Sequence, residues 1–203
     1  MGLPFARAGS GPGGAVGGVI ETRPTIETGR LLLRPFRDAD REPFAALNGD
    51  PRVSDWLGGP IDRAASDAAV DRINRHIAEH GFGFWAAERK ADRRLIGMIG
   101  LKHMAPELPP APAFEAGWRL SPDAWGQGLA AEGAQAALAW GFAHLQADEI
   151  IAITAVGNLR SRAVMQRIGM VELPERGFDH PHLAEDHPLR RHVVYAAKAA
   201  RSR

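Results

Sequence analysis

The chain has 203 residues, 45% of them hydrophobic, with 25 basic and 24 acidic residues, a net charge of +1 and no cysteine. That is enough apolar material for the core of one domain, and near-neutrality excludes the strongly basic footprint of a nucleic-acid binder. Disulfides and thiolate chemistry are excluded too, which suits a reducing cytoplasm, and no apolar run is long enough to cross a bilayer.

Residues 1–24, "MGLPFARAGSGPGGAVGGVIETRP", are glycine-rich without hydrophobic periodicity and are expected to form a flexible tail ahead of a single domain over 25–203. "IETGRLLLRPF" then reads as a β run closed by Pro35, with Asp38 and Asp40 as cap candidates for a helix through "REPFAALNG". In "AASDAAVDRINRHIAEHG", Val70, Ile73 and Ile77 recur at helical spacing, and Gly81 sits at a C-terminal stop. The period then changes: "FGFWAAERK", "RLIGMIGLKH" and "AFEAGWRL" read as an antiparallel meander, the last strand preceded by the proline-rich loop "APELPPAPA". "EIIAITAV" reads as a further strand. "NLRSRAVMQRIG" reads as a helix with Asn158 as N-cap and Gly169 as stop, and short strands at "MVEL" and "HVVYAA" finish the chain.

Between the meander and "EIIAITAV" lies "SPDAWGQGLAAEGAQAALAWGF", where two glycines precede an alanine-rich helix. The first turn of a helix offers unpaired N–H groups and the positive end of its dipole, so backbone amides around Gln127 to Ala131 can converge on an anion while Gly126 and Gly128 leave room for it. A tight turn with glycines for conformational reasons is the plain alternative. "GQGLAA" also satisfies the dinucleotide pattern G-x-G-x-x-G/A, but an antiparallel meander precedes the loop where that fold requires its first βαβ strand. No P-loop lysine follows, which argues against a nucleoside triphosphate.

"WGQGLA" resembles the coenzyme A pyrophosphate loop of the GNAT N-acetyltransferase superfamily, whose pattern is Q/R-x-x-G-x-G/A, with Trp125 departing at the first position. "IETGRLLLRPFRDAD", "EAGWRLSPDAWGQGLAAEGAQAAL" and "NLRSRAVMQRIGM" are similar in order to the branch containing the ribosomal-protein N-terminal acetyltransferases. The resemblance spans Ile26 to Tyr195. It implies an α/β (α+β) fold with a mixed, mostly antiparallel sheet, splayed between its fourth and fifth strands and flanked by helices. It also implies acetyl-CoA as cosubstrate, a primary amine as acceptor, and a monomer or homodimer.

The same resemblance assigns site residues. Trp118, Arg119 and Leu120 offer backbone groups to the pantetheine arm and an oxyanion donor. Trp125, Gly126, Gln127, Gly128, Leu129, Ala130 and Ala131 hold the pyrophosphate, and Asn158, Ser161 and Met165 lie along the arm. Glu115, ten residues before Trp125, matches the position of a catalytic base, and burial beside Phe114 and Trp118 is expected to raise its pKa. A salt-bridged strand carboxylate is the alternative. Where many relatives carry a tyrosine acid this chain has Met165, which leaves Ser161 or water to protonate the leaving thiolate. Arg162 and Arg167 are usable near the 3′-phosphate, with simple solvation on the helix as the alternative.

"GFDHPHLAEDHPLRRHVVY" gathers His180, His182, His187 and His192. No four-ligand geometry is fixed there, so no metal is expected, and His180 or His182 is assigned to the acceptor. Outside amine acetylation, the readings left open are a non-catalytic coenzyme A sensor and a dinucleotide-dependent enzyme.

Overall fold

A computed structural model describes residues 24–199. The tail expected over 1–24 lies, apart from Pro24, outside the described residues. The "IETGRLLLRPF" run is broken at Thr28, where the Thr28 N–H donates to the Leu31 carbonyl at 2.9 Å, giving an antiparallel hairpin of β1 (Ile26–Glu27) and β2 (Leu31–Arg34). Helices α1 (Arg41–Gly49), α2 (Pro51–Ser54) and α3 (Arg63–His80) follow. The meander comes next, as β3 (Phe84–Arg89), β4 (Arg94–His103) and β5 (Phe114–Leu120). The chain continues through α4 (Leu129–His144), β6 (Glu149–Ala155), α5 (Leu159–Arg167), β7 (Val171–Glu172), β8 (Phe178–Asp179) and β9 (Arg191–Lys198).

One nine-stranded sheet runs β1-β2-β3-β4-β5-β6-β9-β7, with β8 on β9. All pairings are antiparallel except β5 with β6, which is parallel and lasts only two registers, Phe114 with Ile150 and Glu115 with Ile151. Beyond Glu115 the strands part, and β6 continues on β9 alone. The splay therefore falls between the fifth and sixth strands, the expected count being shifted by one because the first β run is a hairpin.

Strand alternation divides the core. Trp85, Ile99 and Leu101 face Leu129, Ala134 and Leu138 of α4 on one side of the sheet. Ala86 and Met98 face Phe44, Leu47, Val53 and Val70 of the first three helices on the other. Fully burying a side chain the size of leucine or phenylalanine contributes about 1.5–3 kcal/mol, so these two layers fix where the edges of β5 point.

Asp62 caps α3 by accepting from the Ala65 N–H at 2.7 Å, and Gly81 ends that helix at φ 78°. Asp40 makes no side-chain cap on α1. It accepts from the Arg37 N–H at 2.7 Å and forms a buried ion pair with Arg34 at 2.6 Å, while Arg34 also reaches Glu88 at 2.7 Å. A charge removed from water is stabilised by such partners more than by an exposed cap.

Candidate active site

A cavity of about 650 Å³ opens where β5 leaves β6. One wall is β5 from Glu115 to Leu120, the opposite wall is Ile153 to Ala155 of β6 with the first turns of α5, and the end is closed by the start of α4. Past Glu115 the edge of β5 has no ladder partner on the β6 side; the Leu120 carbonyl accepts from the Trp125 indole N–H at 2.8 Å, and the other edge groups are available to a ligand.

The glycine loop meets the cavity through Trp125, Gly126, Gly128, Leu129, Ala130 and Ala131. Gly126 and Gly128 hold φ values of 73° and 76°, a region costly for other residues, and nothing stands within 4 Å of where a Cβ of Gly126 would lie. Gly128 is the N-cap of α4 and offers no capping side chain, leaving the first-turn amides to the cavity. Gln127 points elsewhere: its side-chain amide donates to the Asp123 carbonyl at 2.6 Å, and the residue does not line the cavity. Its contribution is limited to the backbone.

The loop is fastened from the far edge of the sheet, by contacts that composition alone gives no sign of. Arg30 donates to the Gln127 carbonyl at 2.8 Å and pairs with Glu132 at 2.6 Å, and Thr28 donates to the same carboxylate at 2.6 Å. Burial opposes ionisation of Glu132, yet the hydrogen bonds from Thr28 and Arg30 hold its carboxyl below the usual carboxylate range.

On the α5 wall, Asn158 caps the helix by accepting from the Ser161 N–H at 3.2 Å, which commits its oxygen and leaves its amide nitrogen. Ser161 and Met165 both line the cavity, and Met165 is buried. Arg162 is occupied elsewhere: it pairs with Glu172 at 3.1 Å, beside the Tyr195 hydroxyl, which donates to Glu172 at 2.7 Å. The cations that do line the cavity on this side are Arg167 and Arg160, the latter 4.3 Å above the Trp125 ring.

Glu115 lies in the wall where β5 and β6 part, and Lys102 of β4 stands 3.0 Å from its Oε2. The carboxylate is thus both a cavity residue and one half of an ion pair. Beside it Gly117 admits the Phe84 ring, whose nearest atom would lie 2.8 Å from an added Cβ. Arg119 points to the α1 side, where it donates to the Asn48 side chain at 2.6 Å. Trp56 and Leu57 close that side as half-exposed apolar groups.

Neither His180 nor His182 lines the cavity. His182 faces Glu107 of the proline-rich loop at 3.6 Å, and the histidine of that segment that does reach the cavity is His192. The histidines brought closest together are others, His76, His80 and His103, whose ring nitrogens lie within 4.8 Å of one another. No helix among the described residues is long and apolar enough to cross a membrane.

Comparison with known proteins agrees with this geometry. Residues 30–171 match the acetyltransferase (GNAT) domain family. FsC-acetyl coenzyme A-N(2)-transacetylase of Aspergillus fumigatus is 32% identical over 167 residues, covering 76% of this chain and 68% of the relative. The crystal structure of an acetyltransferase from Agrobacterium tumefaciens superposes with a TM-score of 0.70 at 28% identity, covering 93% of this chain and 100% of the other. Ribosomal-protein-S5-alanine acetyltransferase from Vibrio fischeri shares the fold, with a TM-score of 0.66 at 15% identity over 86% of this chain and 96% of that one. The family match takes in both strands of the splay and the glycine loop between them, and the chain belongs to the GNAT acetyltransferase family and is an acyltransferase.

Proposed function

We propose that the chain is an acetyl-CoA-dependent N-acetyltransferase that moves an acetyl group to a primary amine by direct attack within a ternary complex. One observation carries this reading: the unpaired edge of β5, the amides that start α4 and the Glu115 carboxylate all open on one cavity. A coenzyme laid along the gap therefore ends beside a proton acceptor.

The residues present fit that coenzyme. The loop at Gly126 and Gly128 with the first turn of α4 suits the pyrophosphate, Arg160 and Arg167 suit further phosphate oxygens, and the edge from Trp118 to Leu120 with the free amide of Asn158 suits the pantetheine arm. When bound, the thioester supplies the activated acetyl group. Glu115, positioned by Lys102, takes the proton that a protonated amine must lose before attack. A backbone N–H of Trp118, Arg119 or Leu120 stabilises the developing oxyanion. On the α5 wall Ser161 has a hydroxyl to protonate the leaving thiolate, whereas Met165 has none. The location that fits is the cytoplasm, where acetyl-CoA is made available to soluble enzymes.

The test is thermal unfolding with acetyl-CoA, coenzyme A and NAD in parallel, on the native chain and on Ala130→Glu, which sets a negative charge in the first turn of α4. A ligand at 100 times its dissociation constant stabilises by about 2.7 kcal/mol, so the expected result is a clear rise with acetyl-CoA that the substitution removes. No rise, or a rise with NAD alone, would sink the reading.

A further inference from the structure

On the α1 and α2 side of the cavity, Arg119 is the charge that no carboxylate balances. Its neighbours on the same side cancel in pairs, Lys102 with Glu115 at 3.0 Å and Arg52 with Asp50 at 2.6 Å. No carboxylate among the described residues pairs with Arg119. Its one hydrogen bond goes to the Asn48 side-chain oxygen, and its Nε is buried without a partner. Asn48 is itself fixed, because its amide donates to the Ser66 hydroxyl at 2.9 Å. Burial pushes the Arg119 guanidinium down to about 10, which still leaves it charged at neutral pH. A charge taken out of water with no carboxylate beside it is costly, and one hydrogen bond to a neutral amide offsets only part of that cost.

The surroundings say what the charge is for. On this side the cavity lining includes Val53, Trp56, Leu57, Phe84 and Met98, and Met98 is the cross-strand neighbour of Arg119. Arg119 and Glu115 alternate onto the same face of β5, with Cα atoms four residues or about 13 Å apart. One end of this half of the cavity accepts a proton, the other presents an unpaired guanidinium fork, and carbon surface lies between.

We propose that Arg119 binds an anionic group of the acceptor, and that the acceptor is a primary amine bearing a carboxylate several carbons away. The proposal rests on the acetyltransferase reading and narrows it. A carboxylate matches the planar fork with two charge-assisted hydrogen bonds. Polyamines and other polycationic amines are disfavoured at the same point, because a second cation would meet Arg119.

The experiment compares ω-amino acids of four to eight carbons with the alkylamines and diamines of equal length as acetyl acceptors, using the native chain, Arg119→Met and Arg119→Lys. Acetyl-CoA binding is followed separately by thermal shift. The expected result is a kcat/KM at least about tenfold higher for the ω-amino acids, with diamines the poorest. Arg119→Met should lose that preference while keeping its acetyl-CoA shift. Arg119→Lys should keep part of it. Equal use of the alkylamines, or a preference that survives Arg119→Met, overturns the proposal while leaving the acetyltransferase reading standing. So does failure to acetylate any ω-amino acid by a chain that binds acetyl-CoA. An absent acetyl-CoA shift is the distinct failure of the underlying reading.

A different cluster carries a second proposal. His76 and His80 are one turn apart on α3, His103 ends β4, and none of the three lines the cavity. Their ring nitrogens lie within 4.8 Å of one another, and His76 Nε2 is buried without a partner. We infer that the three histidines bind one divalent transition-metal ion such as zinc. A tetrahedral ion with bonds of about 2.1 Å sets its nitrogens about 3.4 Å apart, so binding requires the exposed His80 and His103 rings to turn toward His76. Calorimetric titration of chelator-stripped protein with zinc chloride should show one saturable micromolar site, lost in His80→Ala and in His103→Ala. No saturation below 100-fold molar excess, or unchanged binding by both variants, overturns it.

Discussion

Trp125 donates its indole N–H to the Leu120 carbonyl across 2.8 Å, and the Arg160 guanidinium lies 4.3 Å above the same ring. One side chain thus ties the end of β5 to the glycine loop and carries a cation of the α5 wall. Trp125→Phe keeps the ring face and removes the hydrogen bond. The expected cost is about 1 kcal/mol of stability and a several-fold rise in KM for acetyl-CoA, with kcat nearly unchanged. Paired denaturation and initial-rate measurements check it, and an unchanged KM would separate this contact from the coenzyme site.

Glu115→Gln preserves shape and removes the proton acceptor. Without that acceptor the variant can use only amine that has already lost its proton, so its rate should fall more steeply than the native rate as pH is lowered. The rate should drop by roughly 100-fold or more. A pH–rate profile with the same slope in both proteins would return Glu115 to the role of Lys102's partner only.

On α5 the two polar residues should separate cleanly. Asn158→Ala removes the cap and should lower stability by about 1 kcal/mol. Ser161→Ala leaves the cap acceptor in place and should lower kcat while the acetyl-CoA thermal shift persists. If Ser161→Ala retains full kcat, the thiolate takes its proton from solvent.

The buried Arg34, Asp40 and Glu88 group lies away from the cavity. Asp40→Ala leaves Arg34 with one fewer partner in an environment that water does not reach, and should cost about 3–5 kcal/mol. Urea denaturation reads this directly. The loss should appear in stability and not in KM.

Desolvation, the largest cause in each case, holds His76, His103, His180 and His192 below their ordinary value of 6.5. The folded state therefore binds fewer protons than the unfolded one between the folded and unfolded pKa values. Their contribution is complete above about pH 6.5 and is lost as pH falls through the folded values. Urea midpoints in chelator at pH 7.5, 6.5 and 5.5 should decline, and His76→Gln combined with His192→Gln should decline less steeply. Equal slopes would remove these histidines as the cause.

Local chemistry in the sequence determined the elements and the glycine loop that opens α4. Helical spacing placed Val70 and Ile77 in the core, Asp62 and Gly81 bound α3 as capping residues do, and Gly126 and Gly128 stand at positive φ ahead of a helix start. These features depend on neighbours within a few residues, and their signals are written in the order of the chain. Interactions across the fold were decided only by tertiary structure. Nothing in the spacing of Arg30 and Glu132, Arg119 and Asn48, or Lys102 and Glu115 announces that they meet, because strand order and register bring them together. The histidines show the difference most plainly. Four that crowd one stretch of sequence, among them His180 and His182, contribute only His192 to the cavity, while His76, His80 and His103, from α3 and the end of β4, meet because the helix packs beside that strand.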